Sequence, residues 1–182
     1  ANALITWSSA SSVNSKSYTG SCAFALPGGQ TFITDVLFDK LDDDQLAAVM
    51  GHEIAHVIHR HGAERMTKQQ FFQKLGGAAG MAAGDASGAQ IARQLLNVAL
   101  MRHSREDEHE CDHFGLQYMV AAGYHPQGMV ELLQILASAS GEGGRPPEIL
   151  STHPYPEDRI DAVKQQIETM FPDGPPPRPR RE

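Results

Sequence analysis

Apolar residues between Leu41 and Gly62 recur at helical rather than strand spacing. At roughly 100° per residue, Leu46, Val49, Met50, Ile54, Val57 and Ile58 cover most of a helix circumference. The pattern predicts a helix that is apolar nearly all round and therefore buried. The run Asp42-Asp43-Asp44 offers an N-cap and places acid in the first turn, where it suits the helix dipole. Gly62 is the expected C-terminal stop. His52, Glu53, His56 and His59 fall in the remaining polar strip. On a buried helix such groups need partners, because each one left unpaired costs roughly 1–3 kcal/mol.

A second helical pattern, Ser104 to Gly123, is two-sided. Glu106, His109, Glu110, His113 and Gln117 share a face without a large apolar residue, which reads as solvated. Cys111, Gly115, Tyr118, Met119 and Ala122 form the opposite, buried stripe. Ahead of both helices, Ala23–Leu26, a Pro27-Gly28-Gly29 turn and Gln30–Phe38 read as a hairpin. The first twenty residues are Ser-rich and read as strand fragments with a mobile loop. Thr67–Leu75, Ala89–Met101, Gln127–Ser138 and Glu157–Met170 read as further helices. The Gly/Ala-rich stretch 76–88 between two of them reads as a mobile connector or as a lid over a cleft. Pro172 to Glu182, Pro-rich with several Arg, reads as a disordered tail. Residues 1–171 are thus read as one α+β domain, mainly α, with a small antiparallel sheet.

Composition changes this picture little. With 182 residues, 41% of them hydrophobic, one sizeable core is expected. A formal charge of −7 argues against nucleic acid as a partner. No stretch is long and apolar enough to cross a bilayer. No signal peptide is legible, as expected of a mature or trimmed chain. Two cysteines do not fix the redox compartment.

The chemistry lies in the string H-E-x-x-H, which occurs twice, at His52–His56 and at His109–His113. On a helix this spacing sets two imidazoles on one face, able to grip zinc, with a glutamate beside them to activate water. The first copy sits in the buried pattern and the second on the solvated face, so the first is read as chemical. Catalytic zinc usually takes three protein ligands. His59 is excluded as the third, since about 10.5 Å of helix rise separates it from His52. Gly62 occupies the place where metzincins carry their third histidine. Glu108 is the better candidate, because it falls close to the centre of the buried stripe, where a carboxylate is costly unless it meets a cation. A salt bridge to Arg105 or another base is the alternative for Glu108. Asp112, one turn on, is placed to accept the outer N–H of a metal-bound histidine.

Four pieces together resemble peptidase family M48, a family of zinc metallopeptidases. They are Ala23-Phe24-Ala25-Leu26-Pro27-Gly28-Gly29, His52–His56, Ser104-Arg105-x-x-Glu108-x-x-x-Asp112, and Ser151-Thr152-His153-Pro154 with Arg159. They occur in the family's order and span roughly residues 20 to 168. The resemblance implies a gluzincin with one Zn2+ held by His52, His56 and Glu108, Glu53 as base, and Asp112 behind a ligand. It also implies His153 near the metal, steadying an oxyanion or capping the ion at rest, with Arg159 as a supporting charge. Two positions depart from the family: Cys22 replaces a usual Asn before Ala23-Phe24, and Cys111 replaces an Ala before Asp112. Either the two cysteines pair, or they are small buried thiols.

The expected function is a zinc endopeptidase that receives an extended peptide along Cys22, Ala23, Phe24 and Ala25 by strand addition. The resemblance implies unfolded or misfolded polypeptide clients in the cell envelope or periplasm, with membrane-proximal association. The rival reading is a zinc-stabilised, chaperone-like binding module that holds such segments without cutting them.

Overall fold

A computed structural model describes residues 22–83, 104–141, 153 and 156–178. Strands β1 (Ala23–Ala25) and β2 (Thr31–Ile33) pair antiparallel with Phe24 opposite Phe32, whose rings stack 5.1 Å apart. The turn closes through Gly29, whose φ of +94° suits glycine. The strand expected to run to Phe38 stops at Ile33 instead. Thr34 ties its hydroxyl to the Cys22 backbone, and Asp35–Phe38 winds into a single helical turn, α1.

Helix α2 (Asp43–Ile58) starts with a reciprocal cap: the Asp42 carboxylate accepts from the Gln45 N–H, and the Gln45 side chain accepts from the Asp42 N–H. The expectation of a helix buried all round is corrected. Ile58 is 55% exposed, whereas Ala48, Val49, Gly51, His52, Glu53, Ala55 and His56 are buried. Small residues, not bulky ones, let α2 sink against its neighbours. Gly62 is not the stop either. The helix ends at Ile58, Arg60 takes a left-handed φ of +60°, and α3 (His61–Ala83) begins at once. The Gly/Ala-rich stretch read as a mobile connector is therefore helical as far as Ala83, consistent with alanine's strong helix preference. Residues 84–88, the helix expected over Ala89–Met101 and the Ser-rich N-terminal segment lie outside the described residues.

Helix α4 (Arg105–Ala121) is capped by Ser104 with Asp107, and α5 (Gln127–Gly141) and α6 (Pro156–Met170) follow. Helix α2 packs chiefly on α4 and then on α5, while α6 lies on α5 and α4. The core runs from Val49 through Leu116 and Met119 to Met129, Leu133, Val163 and Ile167. At the α2–α4 crossing two glycines meet: a Cβ on Gly115 would lie 2.8 Å from the His52 backbone nitrogen. Of the tail expected to be disordered, residues 172–178 are described and tied back to the fold. Arg178 donates to Glu131 at 2.6 Å, and the Pro176 carbonyl lies 2.9 Å from His125 Nε2. Among the described residues no helix is long and apolar enough to cross a membrane.

Candidate metal centre

His52 and His56 stand one turn apart on α2, so both rings leave the same face. Their Nε2 atoms approach to 3.1 Å. Glu108, early in α4, sets Oε2 3.5 Å from His52 Nε2 and Oε1 3.4 Å from His56 Nε2. His153 adds its Nδ1, 3.2 Å from His52 Nε2 and 3.1 Å from Glu108 Oε1. One donor atom from each of the four lies within 4.8 Å of the others, and all four residues are buried.

The surroundings fix much of the protonation. His52 Nδ1 lies 2.9 Å from Asp112 Oδ1 and donates to that carboxylate, while Nε2 is turned toward Glu108 and His56. Arg159 holds both acids from behind. Its Nε and Nη2 donate to the two oxygens of Asp112, and its Nη1 donates to Glu108 Oε2, each at 2.6 Å. Burial alone would raise both carboxyls, yet Asp112 is held low by Arg159, and Glu108 is held low by His153, Arg159 and His52. Burial would lower His52, but Glu108 and Asp112 outweigh it and push its pKa up to about 9. The pocket thus draws positive charge. Nitrogen ligands about 2.0–2.1 Å from a tetrahedral ion sit about 3.3–3.4 Å apart, close to the spacings here. The donor set fits a divalent metal.

Glu53 is 2% exposed, and its Oε1 lies 3.3 Å from His153 Nε2. Both line a cleft of about 360 Å³, bounded by Phe24, Ala25 and Leu26 of the hairpin and by Arg60 and Arg65 beyond the end of α2. Of the residues expected to receive substrate, Phe24 and Ala25 line this cleft, while Cys22 and Ala23 are buried and do not. Arg159 is buried and does not line this cleft; it lines a smaller cavity with Asp112, Leu133 and Leu136. The salt bridge considered for Glu108 is made with Arg159, whereas Arg105 pairs with Asp158 at 2.8 Å.

Cys22 and Cys111 are both buried and are not joined in a disulfide. Burial, with Glu108 next, pushes the Cys111 thiol up, so it stays protonated. In the second motif copy His113 is exposed and contacts Gln117 at 2.9 Å. Among the described residues neither His109 nor His113 joins a group of clustered metal donors. Helical periodicity missed His61. It is buried, with Nδ1 3.0 Å from His56 Nδ1 and Nε2 2.8 Å from Glu110 Oε2. Its five-residue offset from His56 matches no helical face, so only its density among four histidines in ten residues hinted at it.

A helix-borne histidine pair facing an acid from a second helix is an arrangement that metallopeptidases use. The chain belongs to peptidase family M48, whose sequence pattern matches residues 8–167. It is 36% identical over 160 residues to the beta-barrel assembly-enhancing protease of Escherichia coli (strain K12), covering 82% of this chain and 33% of that protein. It is 34% identical over 149 residues to the mitochondrial metalloendopeptidase OMA1 of Schizosaccharomyces pombe, covering 80% of this chain and 43% of that one. The metalloprotease YcaL of Escherichia coli is 29% identical over 150 residues, which cover 80% of this chain and 58% of YcaL. The chain thus spans about a third of the length of the first of these relatives.

Proposed function

We propose that this chain is the catalytic domain of a zinc-dependent endopeptidase, with His52, His56 and Glu108 holding one Zn2+. The observation that carries the reading is the buried Glu53 carboxylate at the cleft wall, beside His56 and 3.3 Å from His153. A buried acid next to two metal-binding histidines has an evident use in moving a proton. When bound, zinc supplies Lewis acidity that acidifies a water and polarises the scissile carbonyl.

The protein's own groups do the rest. Glu53 takes the proton of the attacking water on its carboxylate and returns it to the leaving amine, work worth about 10²–10⁴-fold in rate. His153 Nε2, at the cleft, lies 3.3 Å from Glu53 Oε1 and is available to a developing oxyanion. Asp112 fixes the His52 tautomer through Nδ1. Arg159 is a positioning residue that holds Glu108 and Asp112 together. Phe24 and Ala25 present the hairpin edge to an extended peptide, a mode that grips main chain and tolerates varied side chains. Unfolded or misfolded proteins of the cell envelope are the proposed clients, since the relatives include a protease named for β-barrel assembly. Envelope or periplasmic location belongs to the same proposal.

One observation favours a second reading, a zinc-stabilised binding module: His153 Nδ1 completes a four-donor set of the kind structural sites use. Unfolded casein incubated with metal-loaded wild type and Glu53→Gln separates the two. The endopeptidase reading expects chelator-sensitive cleavage by wild type and full metal content without cleavage in Glu53→Gln. Binding without cleavage by the loaded wild type supports the second reading, and full activity in Glu53→Gln removes that residue from the mechanism.

A further inference from the structure

The two helix-borne histidines are held from behind in different ways. His52 donates directly to Asp112. Behind His56 stands a second imidazole: the rings of His56 and His61 are 5.2 Å apart and nearly perpendicular, with their Nδ1 atoms 3.0 Å apart. His61 in turn sets Nε2 2.8 Å from Glu110 Oε2.

We propose that His61 and Glu110 form a hydrogen-bonded chain that fixes the tautomer and orientation of His56, making His61 a positioning residue of the metal centre. The inference rests on the reading that His52, His56 and Glu108 hold the metal. Each proton assignment then forces the next. His56 Nε2 faces His52 and Glu108, so it carries the lone pair and Nδ1 carries the hydrogen. That Nδ1–H donates to His61 Nδ1, which must be unprotonated. His61 Nε2 therefore bears the hydrogen and donates to the Glu110 carboxylate. Both histidines end on an acid of α4, His52 at once and His56 through one intervening ring. Outer partners of this kind orient a ligand and raise its basicity.

The break between α2 and α3 is what permits the chain. In an uninterrupted helix, residues five apart lie about 7.5 Å along the axis and about 140° round it, so their rings could not meet. The left-handed turn at Arg60, unusual for a residue with a side chain, brings His61 back under His56.

The same atoms admit another use, because Cys111 Sγ lies 3.3 Å from His61 Nδ1 and His56, His61 and Cys111 form a second donor group. A metal there would require His56 to lose both ring protons while serving two ions. It would also require Cys111 to ionise where burial and Glu108 oppose it. The hydrogen-bonded chain needs neither.

Zinc stoichiometry and chelator-competition affinity test this, measured on the wild type, His61→Ala, His61→Asn, Glu110→Gln, Cys111→Ala and His52→Ala. Wild type should bind one equivalent. His61→Ala should bind about 10–100-fold more weakly, and His61→Asn should recover most of that loss, because the amide oxygen stands where Nδ1 stood. Glu110→Gln, at a half-exposed surface position that does not threaten folding, should weaken binding by about threefold to tenfold. Cys111→Ala should match the wild type. Unchanged affinity in His61→Ala overturns the proposal. So does failure of Asn to rescue, or two equivalents falling to one in both His61→Ala and Cys111→Ala. Retention of full affinity in His52→Ala instead sinks the assignment of the metal centre, and the inference with it.

Discussion

Replacing Gly115 by alanine probes the structure where fold and metal centre are least separable. The added Cβ would lie 2.8 Å from the His52 nitrogen, 3.0 Å from the Gly51 carbonyl carbon and 3.1 Å from the His52 Cα. All three are backbone atoms, so no side chain can swing aside. Ordinary contact begins near 3.4 Å against the 2.8 Å available, so α2 and α4 must part by about 0.6 Å. Metal–ligand distances tolerate only about ±0.2 Å. Glu108 rides on α4 and the histidines on α2, so the shift falls directly on the donor set. Overpacking costs about 1–3 kcal/mol, of which alanine's helix preference over glycine returns about 1. The metal-free variant should therefore lose at most about 2 kcal/mol, while zinc affinity falls at least about tenfold, equivalent to about 1.4 kcal/mol. Urea unfolding of the metal-free protein and chelator competition measure the two effects separately. Zinc affinity within twofold of wild type would refute the claim that this crossing sets the ligand geometry.

Three further outcomes are expected. Glu108→Ala should lose zinc affinity while His109→Ala and His113→Ala keep both binding and proteolysis, a direct comparison of the two motif copies; unchanged binding in Glu108→Ala would reopen the search for the third ligand. Arg159→Met leaves Glu108 and Asp112 buried without their cation and should destabilise the protein by about 3–5 kcal/mol in urea unfolding; a loss below 1 kcal/mol would contradict the geometry. His52 has its pKa raised in the fold, so the stabilisation it gives the metal-free protein is complete below about 6.5 and is lost as pH rises through about 9. The unfolding free energy of the metal-free protein, from urea titrations, should fall over that window by at most about 3 kcal/mol, and a flat profile would count against it.

How legible the molecule was from its sequence depended on whether a feature was periodic. Glu108 could be found because the stripe through Cys111, Gly115 and Met119 places it inward, and it is fully buried. The H-E-x-x-H pair was legible for the same reason, since helical spacing alone puts both rings on one face. Burial of α2 was misjudged because its close approach to α4 is made by Gly51 and Gly115, residues that a count of bulky apolar side chains overlooks. The α2–α3 break was displaced to Gly62 because glycine is the usual left-handed residue, whereas Arg60 takes that conformation here. His61 and Glu110 could not be paired from sequence, since their contact depends on that break and on the α4 register.

The ion pairs of Arg178 tie the segment after α6 back across two other helices. Arg178 reaches Glu131 at 2.6 Å, Asp44 at 3.5 Å and Asp42 at 4.0 Å, and so joins one acid on α5 to two at the start of α2. His56, at the cleft, lies twelve residues further along that helix, about 18 Å by its rise. The described C-terminal segment is thus anchored at the end of α2 opposite the cleft.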